Sequence, residues 1–115
     1  MEKAVIIKTD GTKEVVEFEI GESYDLLSKS VEGWIECVSL VSRNADMWVN
    51  EEGKLNGLPE NHHATALWVE EYGMTDIIVG NIIITGGVDN EGETLGLSDE
   101  QVSEFMKYNR RVLRF

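Results

Sequence analysis

Cysteine, proline and long apolar runs are scarce in this sequence, and basic residues are thin for most of its length. One cysteine, Cys37, among 115 residues closes no internal disulfide, so the expected setting is a reducing cytoplasm. The longest apolar stretches run about four residues, where a membrane-spanning helix needs roughly 20. Met1 to Lys8 lack the apolar stretch of a secretory signal. No Walker loop is present, since Gly86-Gly87 lacks the spacing and the lysine that cradle phosphate. No Gly-x-Ser-x-Gly elbow occurs. With one Cys and only the adjacent His62 and His63, sulfur and imidazole alone assemble no tetrahedral zinc site. These absences point to a non-enzymatic protein that needs no cofactor or metal.

Acid is what the chain has in quantity. Ten bases face 22 acids, a formal net charge of −12, and 42% of residues are hydrophobic. That length and apolar content fit one domain, residues 1–115, with a modest core. Residues 44–106 hold a single base, Lys54, and the last nine residues hold Lys107, Arg110, Arg111 and Arg114 with no acid. The acidic middle repels a nucleic-acid backbone, so direct binding to DNA or RNA is not expected. It suits a solvated surface, a basic protein partner or imitation of a phosphate backbone.

Period-two patterning predicts strands at Ala4–Thr9 and Lys13–Ile20, joined by an Asp10-Gly11 turn, with Val16, Phe18 and Ile20 on one face. Ser23 is placed to cap a helix over Tyr24–Val31 that stops at Gly33. Trp34–Val41 reads as a strand with Trp34, Glu36, Val38 and Leu40 on one face and Ile35 and Cys37 on the other. Asp46–Asn50 reads as its partner, with Lys54-Leu55 returning after a turn. After Pro59, Asn61 looks like the N-cap of a helix to Tyr72 with Ala64, Leu67, Trp68 and Glu71 in a stripe. Asp76–Thr85 is either one buried strand bulged at Gly80-Asn81 or a hairpin, the bulged strand being preferred. Gly86–Gly96 reads as a surface loop. Ser98 to Gln101 form a capping box, so Val102, Phe105 and Met106 begin the inner face of a last helix. The expected fold is α+β: a curved, mostly antiparallel sheet with two to three short helices.

Cys37, in a strand interior, is expected to be an inert core thiol. Asp89 to Glu93 place oxygen ligands at alternating positions, but without the distant bidentate Glu of a calcium loop. The segment Trp48 to Leu67, above all Asn61-His62-His63-Ala64-Thr65, resembles DUF3846, a family of unknown function found mostly in phages, plasmids and their bacterial carriers. Glu32-Gly33-Trp34-Ile35-Glu36 and the apolar strand broken at Gly80 extend the resemblance to roughly residues 3–97. The family has a basic residue where this chain has His62 or His63. The resemblance implies no reaction.

Two surfaces are candidates. The helix start at Asn61, with His62, His63 and Thr65, directs free N–H groups outward, as an anion requires. Arg110 and Arg111 of the tail can clamp phosphates, and Trp48, Trp34 or Tyr72 can stack on a base. Against this, Asn61 also reads as a cap alone and the tail as charge complementing a helix C-terminus. The preferred expectation is a cytoplasmic homo-oligomer of the phage accessory or anti-defence kind that sequesters a small, nucleotide-like anion. The alternative is an acidic inhibitor or DNA mimic that blocks a basic host defence or nucleic-acid-binding protein.

Overall fold

A computed structural model describes residues 1–109. Strands β1 (Glu2–Ile7), β2 (Lys13–Phe18), β3 (Ile35–Leu40), β4 (Ala45–Asn50) and β5 (Ile82–Thr85) form one open sheet in the order β2-β1-β5-β4-β3. Every pairing is antiparallel. The last strand therefore lies in the middle of the sheet, between β1 and β4. That position explains why Ile82, Ile83 and Ile84 are all fully buried: a central strand covered on both faces reads as continuous apolar sequence.

Helix α1 (Tyr24–Val31) covers one face, setting Leu27 and Val31 against Ala4, Ile6, Phe18 and Ile83. Helices α2 (His62–Tyr72) and α3 (Asp99–Lys107) lie on the other, where Leu67 and Phe105 join Val5, Ile7, Met47 and Ile84. The α3 capping box forms as the sequence predicts, with Ser98 and Gln101 exchanging side-chain and backbone bonds.

Several local expectations are corrected. Ser23 has helical dihedrals and makes no side-chain cap. Helix α1 ends instead on Glu32 in the left-handed region (φ 63°), and Gly33 follows. Glycine is needed at position 33 for a different reason: a Cβ there would sit 2.7 Å from Asn50 Nδ2, which donates to the Val31 carbonyl. Trp34 does not join the buried Val38–Leu40 face and is 65% exposed. Cys37 belongs to β3 but is exposed, not a core thiol. Ile20 and Met106 also face solvent. Lys54-Leu55 is part of a turn, not a returning strand.

Asp76–Thr85 is neither one strand nor a hairpin. Gly80 at φ 82° divides it. Residues 82–85 enter the sheet, while Val79 pairs with Glu60 in an isolated antiparallel bridge. The Gly86–Gly96 loop is more ordered than its composition predicts. Val88 bridges Thr94, and Leu97 N–H donates to the Lys3 carbonyl at 2.8 Å. Asp89 Oδ1 accepts the N–H groups of Glu91 and Glu93, so this carboxylate serves its own loop.

Candidate functional site

The Pro59–Thr65 corner is built by three residues that face inward. Asn61 is fully buried. Its Oδ1 accepts from Ala64 N–H at 3.1 Å, and its Nδ2 donates to the carbonyls of Ile7 (2.9 Å) and Gly80 (3.0 Å). Its own N–H donates to the Ile78 carbonyl, and its carbonyl accepts from Thr65 N–H. Thr65 Oγ1 accepts from Ile78 N–H at 2.9 Å and lies 3.3 Å from the Ile78 carbonyl. Ala64, with no exposed surface, leaves room for this packing. The Asn-x-x-Ala-Thr element thus joins three parts of the chain: the end of β1, the start of α2 and the segment 78–80.

That geometry is the context of the motif in this chain, and a family model matches residues 1–110. The chain belongs to the DUF3846 family, a domain of unknown function. Comparison with curated proteins and with solved structures gives no match.

Within this DUF3846 domain the residues expected to form one anion site are distributed as follows. Asn61 and Thr65 are turned into the fold. His62 lies on the surface with Nδ1 3.1 Å from Glu60 Oε2. His63 packs edge-on to Tyr108 at 6.3 Å. Trp48 is on the opposite face of the sheet, where its Nε1 donates to Thr85 Oγ1 at 2.9 Å within the α1-side cluster. Arg110 and Arg111 lie outside the described residues. The structure therefore groups Asn61, His62, His63 and Thr65 but not Trp48.

Two described cations, Lys13 and Arg43, lie over the Tyr108 ring at 6.0 and 5.1 Å, the ring on which His63 packs, and each is also engaged elsewhere. Lys3 pairs with Asp99, Lys8 with Glu14, Arg43 with Glu70 and Lys54 with Asp76. Lys13 donates to the carbonyls of Met106 and Tyr108. Glu71, the charged end of the α2 stripe, accepts the Ser42 N–H at 3.0 Å and so fastens the turn that follows β3.

A second site was not legible in the sequence. A cleft of about 160 Å³ opens between β3, β4 and the 76–79 segment, with Glu36, Glu51, Lys54, Leu55, Asp76 and Ile77 among its walls. Asp76 and Ile77 also border a shallow depression that includes Glu60 and Met74. Leu55 is 88% exposed, Met74 63% and Ile77 47%. Leu55 borders the cleft, Met74 the depression and Ile77 both, each among carboxylates. Hydrogen bonds from Lys54 and from Ile77 N–H hold the Asp76 carboxyl below its usual range. The one sequence signal for this site was the break at Gly80-Asn81. Reading residues 76–85 as continuous strand placed Ile77 in the core.

Cys37 is exposed but unreactive in character. Partial desolvation, with the Asp46 carboxylate beside it, pushes its thiol up to about 11. At pH 8 it is therefore held as the neutral thiol. Alkylation by iodoacetamide is expected to run roughly tenfold or more below that of a free cysteine. Asp46→Asn removes the neighbouring charge, lowers the thiol pKa and should accelerate the reaction. An unchanged rate in that variant would show that Asp46 is not a cause.

Proposed function

We propose that this domain works without turnover by binding a protein, and that its acidic surface occupies a basic partner, as an inhibitor or DNA imitator of a host defence or nucleic-acid-binding protein would. The observation that carries the reading is the pair of adjoining depressions that share Asp76 and Ile77, which set exposed Leu55, Met74 and Ile77 among Glu36, Glu51, Glu60 and Asp76, where the neighbouring cation, Lys54, is already ion-paired. Exposed apolar residues clustered within a charged rim mark association surfaces. An acidic field of this size steers a basic partner and raises its encounter rate.

Capture of a small anion, the other reading of the sequence, has less support. Among the described residues Asn61 and Thr65 of its helix start are committed to the fold, and the two cations nearest His63 across the Tyr108 ring, Lys13 and Arg43, are engaged by backbone carbonyls and by Glu70.

The test is affinity capture from lysate of a bacterial host at low and raised salt, followed by titration of the recovered basic protein. Affinity is expected to fall steeply between about 0.05 and 0.3 M salt, as exposed charge pairs are screened. The double change Glu36→Lys and Glu51→Lys should slow association roughly 10-fold or more, while His62→Ala and Arg111→Ala leave it unchanged. Loss of binding in the His62 and Arg111 variants, or heat on titrating a nucleotide panel into the protein, would favour anion capture instead.

A further inference from the structure

Among the described residues the sheet ends on two edges, β2 and β3, and they differ. Along β3 the register pairs Ile35 with Asn50, Cys37 with Trp48 and Ser39 with Asp46. Glu51 N–H donates to the Trp34 carbonyl at 2.8 Å. In an antiparallel ladder this fixes Glu36, Val38 and Leu40 as the residues bonded to β4. The N–H and C=O groups of Ile35, Cys37 and Ser39 then point away from the sheet. The Tyr72 hydroxyl donates to the Ser39 carbonyl, in agreement with that phase, and so closes the Ser39 end of the edge, leaving the outward groups of Ile35 and Cys37 for an added strand.

On β2 the same reasoning starts from Lys8 N–H donating to the Thr12 carbonyl. It assigns the outward backbone groups to Lys13, Val15 and Glu17. Charged residues on an edge strand discourage pairing with another chain. The β2 edge has two of them at its outward positions. The β3 edge has none at the corresponding positions, and it has no proline and no bulge.

Side-chain room exists beside this open edge. The acidic cleft with Leu55 and Ile77 reaches Glu36 of β3. A shallow groove bordered by Tyr24, Lys29 and Trp34 lies where the chain enters β3. An added strand alternates its side chains between two faces.

We infer that an extended segment of the partner, bearing basic residues at alternate positions, adds to the sheet as a sixth strand along β3, with its basic side chains directed into the cleft of Glu36, Glu51 and Asp76. Charge selects the occupant: the cleft holds three carboxylates against one lysine, and that lysine is already paired with Asp76. Strand addition of this kind takes affinity from main-chain hydrogen bonds and specificity from the side-chain pockets. The inference rests on the protein-binding reading above and names the line along which that binding occurs.

The probe is a capped octapeptide of alternating Lys and Val, titrated into the full chain and followed by amide hydrogen exchange. The Ile35 and Cys37 amides are expected to slow by about tenfold or more, with Val15 and Glu17 unchanged. An alternating Glu-Val peptide should have no effect. Ile77→Ser, a surface change, should weaken binding several-fold, and Cys37→Pro, which removes an outward N–H, should abolish it. If Cys37→Pro does not fold, the exchange pattern of the unmodified chain still decides. Binding of the Lys-Val peptide with protection elsewhere overturns the β3 assignment and leaves the protein-binding reading standing. Equal protection by the Glu-Val peptide overturns the charge argument. Protection of the same amides by raised protein concentration alone assigns the edge to a second copy of this chain and overturns the inference. No binding of the basic peptide overturns the inference, and together with salt-insensitive capture it overturns the protein-binding reading as well.

Discussion

Asn61→Ala is expected to destabilise the fold by about 3 kcal/mol or more, read as a fall in the urea unfolding midpoint. A lost N-cap alone costs about 1 kcal/mol. Here the same side chain also satisfies the carbonyls of Ile7 and Gly80, and each buried group left unpaired adds about 1–3 kcal/mol. Asn61→Asp separates the two contributions. As a cap, Asp is equivalent to Asn. As a neighbour of two carbonyl oxygens it replaces a double donor with a carboxylate in a fully buried site. Asn61→Asp should therefore be at least as harmful as Asn61→Ala at pH 7. Burial raises the carboxyl pKa in the folded state. The damage should thus be relieved as pH falls through that raised folded-state pKa, starting above the ordinary carboxylate range and complete once pH is below it, because the protonated acid can donate. A stable Asp variant at pH 7 would reduce Asn61 to a simple cap.

Phe105→Ala is expected to cost about 3–5 kcal/mol, the range for a large aromatic removed from a core. Phe105 has no exposed surface and is the one buried residue of α3. A helix of nine residues is marginal without tertiary packing. Its remaining attachments include Gln101 Nε2, which donates to the carbonyls of Arg43 and Asn44 at 3.1 Å, and the Arg43 guanidinium 5.7 Å over the Phe105 ring. The variant should release α3 to proteolysis before the sheet unfolds. Coincident loss of both would show that α3 and the sheet form one cooperative unit.

The two substitutions sit on opposite sides of what the sequence makes readable. The α3 capping box and Phe105 follow from local spacing, and the structure reproduces them. The β1–β2 turn is likewise local: Gly11 takes φ 88° and Asp10 Oδ1 accepts from Thr12 N–H. Asn61 was recognisable as a cap for the same reason, since its bond to Ala64 spans three residues. Its bonds to Ile7 and Gly80 span 54 and 19 residues, and no local pattern encodes them. Trp34 and Cys37 show the same limit from another side. Cys37 takes its period-two place on β3 while Trp34 lies just before that strand, and both are exposed, because local alternation does not specify which positions the rest of the fold covers.

Composition and short-range periodicity alone determined that this chain carries an acidic surface, an α+β order of elements and capped helices, because those properties depend on residues within a few positions of one another. Only the tertiary structure decided that β5 enters the centre of the sheet, that β3 is an edge among the described residues and that Leu55, Met74 and Ile77 lie among carboxylates. Each of these depends on which distant segments pair, and pairing is selected by the burial of the whole core rather than by any one stretch of sequence.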